Sequence, residues 1–179
     1  GREADAAELL RLIKLSPFVV FYGKSGLGKS SVLQAGVFPA LRAAHFLPVH
    51  MRLDYAEKAG QVPLMEQAAL RLRQEIDASG ADAPEREPGE SLWAYLQRRD
   101  TPIWGADNFP LTPVLVFDQF EEVFSRGGSP AHVEDLLDQM ADLAADRMPH
   151  ELADDRDAVR RLDLQTQQCG AQGLAQVVR

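Results

Sequence analysis

Hydrophobic residues near the start of the chain first recur with helical spacing and then form a continuous apolar run. One face of a helix predicted over residues 4–13 carries four apolar side chains: Ala6, Leu9, Leu10 and Ile13. Residues 17–22 are rich in β-branched and aromatic side chains and show no polar alternation. Such a run is typical of a strand buried on both faces, so we expect a parallel sheet covered by helices.

The segment after this run completes a strand–helix–strand unit. Residues 29–44 have a composition compatible with a helix, although we expect Gly36 and Pro39 to interrupt it. Residues 46–54 resemble a second strand, which ends at Asp54.

Two later segments have the pattern of amphipathic helices. The helix predicted over residues 63–78 has an apolar side chain at every fourth position: Leu64, Ala68, Leu72 and Ile76. Gly127 and Gly128 interrupt the preceding pattern. The other predicted helix begins after them, has Pro130 in its first turn and ends at Pro149.

Shorter segments connect these elements. Residues 79–90 have two prolines and no core-forming side chain, which predicts a mobile loop. A short helix is predicted over residues 91–99, and a turn-rich stretch over residues 101–113 leads into a third buried strand over residues 114–118. That strand ends in an acid, Asp118.

Alternating strands and helices of this kind predict an α/β fold. We expect one domain over residues 1–179, built as a three-layer αβα sandwich around a mostly parallel sheet that is incomplete at its C-terminal end. Residues 150–179 have no assigned structure, although residues 174–178 are compatible with the start of a further strand. Because the chain does not begin with Met, we expect it to be part of a longer protein.

Composition narrows the classes of partner. Hydrophobic residues make up 45% of the chain and charged residues 26%, which is typical of a globular protein. The formal net charge of −8 disfavours direct binding of nucleic acid. The apolar runs are far shorter than the roughly 20 residues that span a bilayer, so no membrane segment is expected.

Cysteine and histidine give no sign of a disulfide or zinc site. The single cysteine, Cys169, cannot form an internal disulfide, which favours a reducing, cytoplasmic location. The four histidines lack the spacing of zinc ligands, and we expect them to be scattered surface or packing residues: His45, His50, His132 and His150.

Residues 23–30 match the phosphate-binding loop pattern G-x-x-x-x-G-K-[ST] in full, between a predicted strand and a predicted helix. Glycines allow successive backbone N–H groups to turn toward phosphate oxygens, and the helix N-terminus adds partial positive charge. Lys29 brings a full positive charge to the β and γ phosphates, so it counts as both a binding and a catalytic residue, and the Ser30 hydroxyl can ligate Mg²⁺. The predicted nucleotide-binding residues of this segment are Gly23, Lys24, Ser25, Gly26, Leu27, Gly28, Lys29, Ser30 and Ser31.

A second group of residues has the chemistry that such a loop needs. The strand predicted over residues 114–118 ends at Asp118, and Glu121 and Glu122 follow shortly after it. An acid at the tip of a neighbouring strand holds Mg²⁺, and a further carboxylate orients or deprotonates the attacking water. Asp118 is therefore the predicted metal residue. The base is either Glu122 or Glu121, and the spacing does not choose between them.

Other motifs are absent or leave alternatives open. The patterns G-x-S-x-G, G-x-G-x-x-G and the guanine-reading Asn-Lys-x-Asp do not occur, so adenine is favoured by default. A P-loop kinase and a nucleotide-stabilised interaction module without turnover remain alternatives to an ATPase.

Three segments together resemble the signal-transduction ATPases with numerous domains, or STAND NTPases, and most closely their bacterial branch, often fused to β-propeller or helical sensor repeats. The segments are the opening Gly-Arg-Glu, the sequence VVFYGKSGLGKSSVLQAGVFPAL and the sequence PVLVFDQFEEVF. The resemblance implies that Gly1, Arg2 and Glu3 lie by the adenine. It also implies the P-loop NTPase form of the αβα sandwich.

The resemblance further implies a nucleotide-controlled switch that binds ATP or ADP with Mg²⁺ and self-associates through the full-length protein when a sensor region recognises a trigger, as in bacterial defence. Sensor and effector domains would lie outside residues 1–179. Family members usually have a further strand that ends in a sensor arginine, which residues 150–179 do not clearly reproduce. Because neither Arg126 nor Arg179 can be assigned as a catalytic arginine, we expect slow hydrolysis by this chain.

Overall fold

A mostly parallel sheet forms the centre of the fold. The computed structural model describes residues 2–24, 26–55, 62–98, 102–126, 130–145, 147 and 175–178. The strands are β1 (Phe18–Val20), β2 (Phe46–Met51), β3 (Ile103–Trp104), β4 (Pro110–Phe117) and β5 (Ala175–Val178). Four of them run parallel in the order β1-β5-β4-β2, and β3 pairs antiparallel with the start of β4.

Helices connect and cover these strands. They are α1 (Glu3–Leu15), α2 (Lys29–Ser31), α3 (Phe38–Ala43), α4 (Leu64–Ser79), α5 (Leu92–Gln97), α6 (Glu122–Arg126) and α7 (Pro130–Ala145). A π-helical segment, Val32–Val37, joins α2 to α3. The predicted helices α1 and α4 are confirmed, and the four periodic apolar residues of α4 are all buried. The helix predicted from Pro130 is confirmed as far as Ala145, whereas Gly127, Gly128 and Pro149 lie outside the described residues.

Alternate residues of β4 enter two separate cores. Val114 and Val116 pack with apolar residues of α1 and of the helical segment that begins at Lys29. Leu115 and Phe117 pack on the other face with residues of α4, α5 and α7. Helices therefore cover both faces of β4, and the predicted α/β class is confirmed.

The prediction that residues 17–22 form a strand buried on both faces is wrong. β1 spans only Phe18–Val20 and lies at one edge of the sheet, and only Val19 is buried. Phe18 is 38% and Val20 55% exposed, because the described helices that contact β1 lie on the side of Val19. A continuous apolar run does not distinguish an edge strand from a central one.

The predicted interruption of the helix after residue 29 is also wrong. α2, the π-helical segment and α3 follow one another without a break from Lys29 to Ala43. Pro39 lies directly after the π-helical segment, at the start of α3. Gly36 lies against α1, since a Cβ at this position would come 2.7 Å from the Cβ of Ala6.

The ends of β2 and β4 differ from the predicted ones. β2 ends at Met51 rather than Asp54, and β4 begins at Pro110, within the stretch predicted to consist of turns. Ile103 and Trp104 pair with Leu111 and Pro110 in a short hairpin. Prolines in β4 conceal the strand, because proline is unfavourable inside a sheet except at a first position or an edge.

Residues 79–90 form no helix after Ser79, and backbone and side-chain hydrogen bonds tie them to neighbouring elements. Asp82 bridges to Trp104 through two backbone hydrogen bonds of 2.7 Å, and the Tyr95 hydroxyl donates to the Pro84 carbonyl. The mobility of this loop stays a prediction. At the other end of the chain, the expected strand is confirmed as β5, and residues 150–174 and Arg179 lie outside the described residues. None of the helices in the described ranges is long and apolar enough to cross a membrane.

Candidate functional site

The loop between β1 and α2 contains two glycines with left-handed backbone conformations. Gly26 and Gly28 both have left-handed backbone angles, with φ of 81° and 73°. Left-handed residues turn neighbouring N–H groups to a common side, and Gly28 directly precedes α2, whose first N–H groups lack helical partners. Side chains other than glycine would strain both positions, which explains the two glycines of the motif.

The side chain of Lys29 folds back over this loop. Its ammonium group donates hydrogen bonds to the Gly23 carbonyl at 2.7 Å and to the Lys24 carbonyl at 3.2 Å. The only full positive charge of helix α2 thus lies on the inner side of the turn. Ser30 is the next residue of α2 and is partly exposed, whereas Ser25 lies outside the described residues.

Arg2 joins the start of α1 to the same loop. Its Nη1 donates to the Leu27 carbonyl, and its Nε donates to Asp5 Oδ2 at 2.6 Å. The guanidinium also lies 4.0 Å from the position that a Cβ of Gly28 would occupy. The structure therefore brings Arg2 to the loop, 25 residues away along the chain, while Gly1 lies outside the described residues.

The acidic motif and this loop both lie at the end of the sheet where the parallel strands have their carboxyl ends. Val178 of β5 pairs with Val20 of β1 on one side and with Phe117 of β4 on the other. Parallel strands lie roughly 5 Å apart, so the ends of β1 and β4 are about 10 Å apart across β5. Asp118 directly follows β4, and Gly23 begins three residues after Val20.

Two contacts hold Asp118 against β2. Its backbone N–H donates to the Met51 carbonyl at 2.8 Å, which prolongs the pairing of the two strands by one bond. Its carboxylate oxygen Oδ2 lies 3.2 Å from Nε2 of His50. The side chains are 16% exposed for Asp118 and 30% exposed for His50, so the contact is largely shielded from water.

Glu121 and Glu122 lie in different surroundings. Gln119 has a left-handed backbone, with φ of 56°, in the turn that leads to α6, of which Glu122 is the first residue. Arg52 Nη2 lies 2.7 Å from Glu122 Oε1, whereas Glu121 is exposed. Burial raises the pKa of Tyr55 to about 12, and the nearby charges of Glu122 and Glu121 add to this rise.

Nearly the entire length of the chain matches one family of nucleotide-dependent proteins. The family, described as Novel STAND NTPase 1, matches residues 1–173. The chain belongs to this family. Comparison with curated proteins and with solved structures gave no match.

Ser30 and Asp118 of this STAND NTPase chain carry oxygen donors of the kind that Mg²⁺ binds. Ser30 contributes a hydroxyl and Asp118 a carboxylate, both of which are hard oxygen ligands. No group of three or more His, Cys, Asp or Glu residues that could hold a metal occurs in the described parts of the chain. Mg²⁺ usually binds through one or two carboxylates together with phosphates and waters.

Sequence reasoning missed three residues beside the acidic motif of the STAND NTPase domain. His50, Arg52 and Tyr55 lie at or just after the end of β2, where His50 and Arg52 contact the two acids. The expectation that His50 is a surface or packing residue holds for its ring, which packs on Phe38, but it did not include the contact with Asp118. The position of His50 near the end of a strand parallel to β4 is a signal that the sequence contained, but the order of the strands was needed to use it.

Proposed function

We propose that this STAND NTPase domain binds ATP or ADP together with Mg²⁺, hydrolyses ATP slowly and acts as a nucleotide-controlled signalling switch. The observation that supports this most is the shared edge of the sheet. The left-handed loop with Lys29 and the acidic motif with Asp118 both follow strands that end level with Val178. A turn that only connected a strand to a helix would not require an acidic motif at the same end of the sheet.

Each group in the site has a role that its position supports. The N–H groups around Gly26 and Gly28 cradle phosphate oxygens, and Lys29 leaves the loop carbonyls to contact the β and γ phosphates. Arg2, held at Leu27 and close to Gly28, borders the nucleotide on the side of α1. The family resemblance assigns Arg2 to the adenine neighbourhood, and the contact with Leu27 attaches it to the loop proposed to hold the phosphates.

The acidic residues divide the remaining chemistry. Ser30 and Asp118 would hold Mg²⁺, which when bound neutralises charge on the phosphates. Glu122 is our first candidate for the base that orients water, and Glu121 is the second, because both follow Asp118 within one turn of chain. Glu121 is the more exposed of the two and does not depend on release from Arg52.

Slow turnover follows from the positions of the arginines in the described residues. Phosphoryl transfer gains about 10³ to 10⁵ in rate from an arginine placed on the developing charge. Arg2 donates to a loop carbonyl and Arg52 to Glu122, so both guanidinium groups are already engaged at the site. We expect phosphate release well below about 1 per second, the low end of typical turnover.

The wider setting is part of the same proposal. We infer that the full-length protein self-associates and that sensor and effector domains outside residues 1–179 supply trigger and output, as in bacterial defence. The single cysteine is consistent with a cytoplasmic location, and the net charge of −8 argues against direct binding of nucleic acid by this domain.

One contact favours a second candidate, a nucleotide-stabilised interaction module without turnover. The ion pair with Arg52 holds the carboxylate of Glu122 on the side of β4 that faces β2, away from the phosphate-binding loop. Binding without hydrolysis would result if this pair persisted in the nucleotide complex.

Calorimetric titration of the chain with ATP, ADP and GTP, each with MgCl₂ or with EDTA, tests the proposal. We expect adenine nucleotides to bind more tightly than GTP and Mg²⁺ to strengthen the binding. Phosphate release from ATP, measured in parallel with and without candidate phosphoryl acceptors, separates the ATPase from the module and from a kinase. If none of the three nucleotides bound, the proposal would be refuted.

A further inference from the structure

His50 lies beside the acidic motif without belonging to it. It occupies the next-to-last position of β2, and its Nε2 lies 3.2 Å from Asp118 Oδ2. A ring N–H in this position donates to the carboxylate, because an ionised carboxylate can only accept. The partner of His50 is therefore the residue to which the proposed function assigns Mg²⁺.

Backbone contacts fix both ends of this hydrogen bond. The Asp118 N–H donates to the Met51 carbonyl at 2.8 Å, and the His50 carbonyl accepts a hydrogen bond of 2.9 Å from Nε of Arg71 in α4. The end of β2 is thus attached to a strand on one side and to a helix that packs on it. A side chain carried by such a segment has little freedom to move away from Asp118.

The ring of His50 also contacts the helical segment that starts at the phosphate-binding loop. Phe38 of α3 is 5% exposed, and its ring centroid lies 5.6 Å from that of His50. α3 continues without a break from α2, which contains Ser30. His50 therefore contacts the helical segment that carries one proposed magnesium ligand and hydrogen-bonds the other.

We infer that His50 is a positioning residue for the magnesium site. It fixes the orientation of the Asp118 carboxylate relative to the helical segment of Ser30. The carboxylate oxygen of Asp118 and the hydroxyl oxygen of Ser30 are thus positioned before the ion binds. Hydrogen bonds to ligating carboxylates commonly serve this purpose, and their loss typically costs about 10- to 100-fold in metal affinity. This inference rests on the proposed function, since it concerns the same metal.

The test compares variants of His50 in the full chain, with the β,γ-imido analogue of ATP as the probe. Calorimetry measures its affinity over a series of MgCl₂ concentrations and again in EDTA. We expect His50→Thr, which cannot reach Asp118, to require about tenfold more Mg²⁺ for the same affinity, with unchanged affinity in EDTA. His50→Gln should restore the magnesium requirement, because its terminal amide can donate from nearly the position of Nε2.

His45 offers a matched control at the opposite edge of the sheet. It precedes β2, and its Nδ1 lies 3.5 Å from Asp107 Oδ2 in an exposed pair. Glycine readily adopts the left-handed backbone of this residue, whose φ is 58°, so His45→Gly removes a comparable contact without strain. The variant should keep the wild-type magnesium requirement.

Two results would overturn the inference alone: an unchanged magnesium requirement in His50→Thr, or an equal loss of affinity with Mg²⁺ and in EDTA, which would indicate a merely structural role. If His50→Thr does not fold, His50→Asn replaces it, since its shorter amide stops short of Asp118. Equal requirements in His50→Asn and His50→Gln would then overturn the inference. Wild-type protein that binds the analogue with no dependence on Mg²⁺ would overturn the magnesium part of the proposed function as well.

Discussion

Arg52 holds the carboxylate of Glu122 on the side of β4 that faces β2. The two groups are 2.7 Å apart, with 54% of the Arg52 side chain and 20% of the Glu122 side chain exposed. β2 and β1 lie on opposite sides of β4 in the sheet, so this ion pair draws Glu122 away from the phosphate-binding loop that follows β1. If Glu122 is the base, the pair has to open before hydrolysis.

Arg52→Gln should therefore raise the rate of phosphate release. Exposed ion pairs contribute up to about 1 kcal/mol, so the rise should be no more than about fivefold. Single-turnover hydrolysis of ATP measures it, and Arg42→Gln is the matched control, because Arg42 forms an ion pair of similar exposure with Glu75. A lower rate in Arg52→Gln would show that the pair supports catalysis instead.

Removal of the loop charge should weaken nucleotide binding. Lys29→Ala is expected to reduce ATP affinity at least about tenfold, or about 1.4 kcal/mol, because its ammonium is the full positive charge on the inner side of the turn. Isothermal titration measures the change. Lys14→Ala removes an exposed charge from the last turn of α1 and controls for net charge. Unchanged affinity in a folded Lys29→Ala variant would contradict the role of the loop.

The acidic residues should separate into a metal role and a catalytic role. Asp118→Asn is expected to lose the strengthening of nucleotide binding by Mg²⁺. Glu122→Gln should retain binding and lose about a hundredfold in turnover, because a water-orienting carboxylate acts mainly in the transition state. If Glu121→Gln abolishes hydrolysis while Glu122→Gln does not, Glu121 is the base and the order of the two candidates is reversed.

Tyr55 should make the protein sensitive to alkaline pH. Burial and the charges of Glu122 and Glu121 raise its pKa from 10.0 to about 12. The folded state therefore holds the phenol proton more tightly than the unfolded state. The contribution of protonated Tyr55 to the free energy of unfolding is complete below pH 10 and is lost as pH rises toward 12. Urea unfolding of wild type and Tyr55→Phe at pH 9 to 11 should show the steeper loss in wild type. Parallel pH profiles would contradict the burial of this phenol.

A core substitution provides a measure of how α4 attaches to the sheet. Ile76 is fully buried in the core that contains Leu115 and Phe117. Ile76→Ala should lower the free energy of unfolding by about 2 to 5 kcal/mol, through lost burial and the cavity that remains. Leu70→Ala on the exposed side of the same helix, where Leu70 is 49% exposed, should cost much less in the same denaturation experiment.

Local patterns predicted the strongly periodic elements and the loop, but not the neighbours of the acidic motif. The spacing of Leu72 and Ile76 predicts α4 because residues four positions apart lie on the same side of a helix and are buried together. The contact of His50 with Asp118 spans 68 residues and depends on β2 lying next to β4. Strand order is a property of the whole fold, so local periodicity does not contain it.

The partial exposure of β1 was hidden for a related reason. Phe18 and Val20 are as apolar as the buried residues of β4, yet they are partly exposed. The sequence of a strand does not show whether helices cover one of its faces or both. Arg2 shows the opposite case. Its contact with Leu27 is distant in sequence, yet the family resemblance had already indicated that the two segments lie together at the nucleotide.

The position of β5 imposes an order on the assembly of the sheet. Residues 175–178 are synthesised after β1 and β4, yet they lie between these two strands, which make no hydrogen-bonded pair with each other among the described strands. Until this segment pairs, the described strands give no backbone hydrogen bond that joins β1 to the sheet containing β4. Contacts of such long sequence separation form slowly because they require closure of a large loop. The pairing that brings the ends of β1 and β4 level with each other would thus form only after synthesis has passed residue 178.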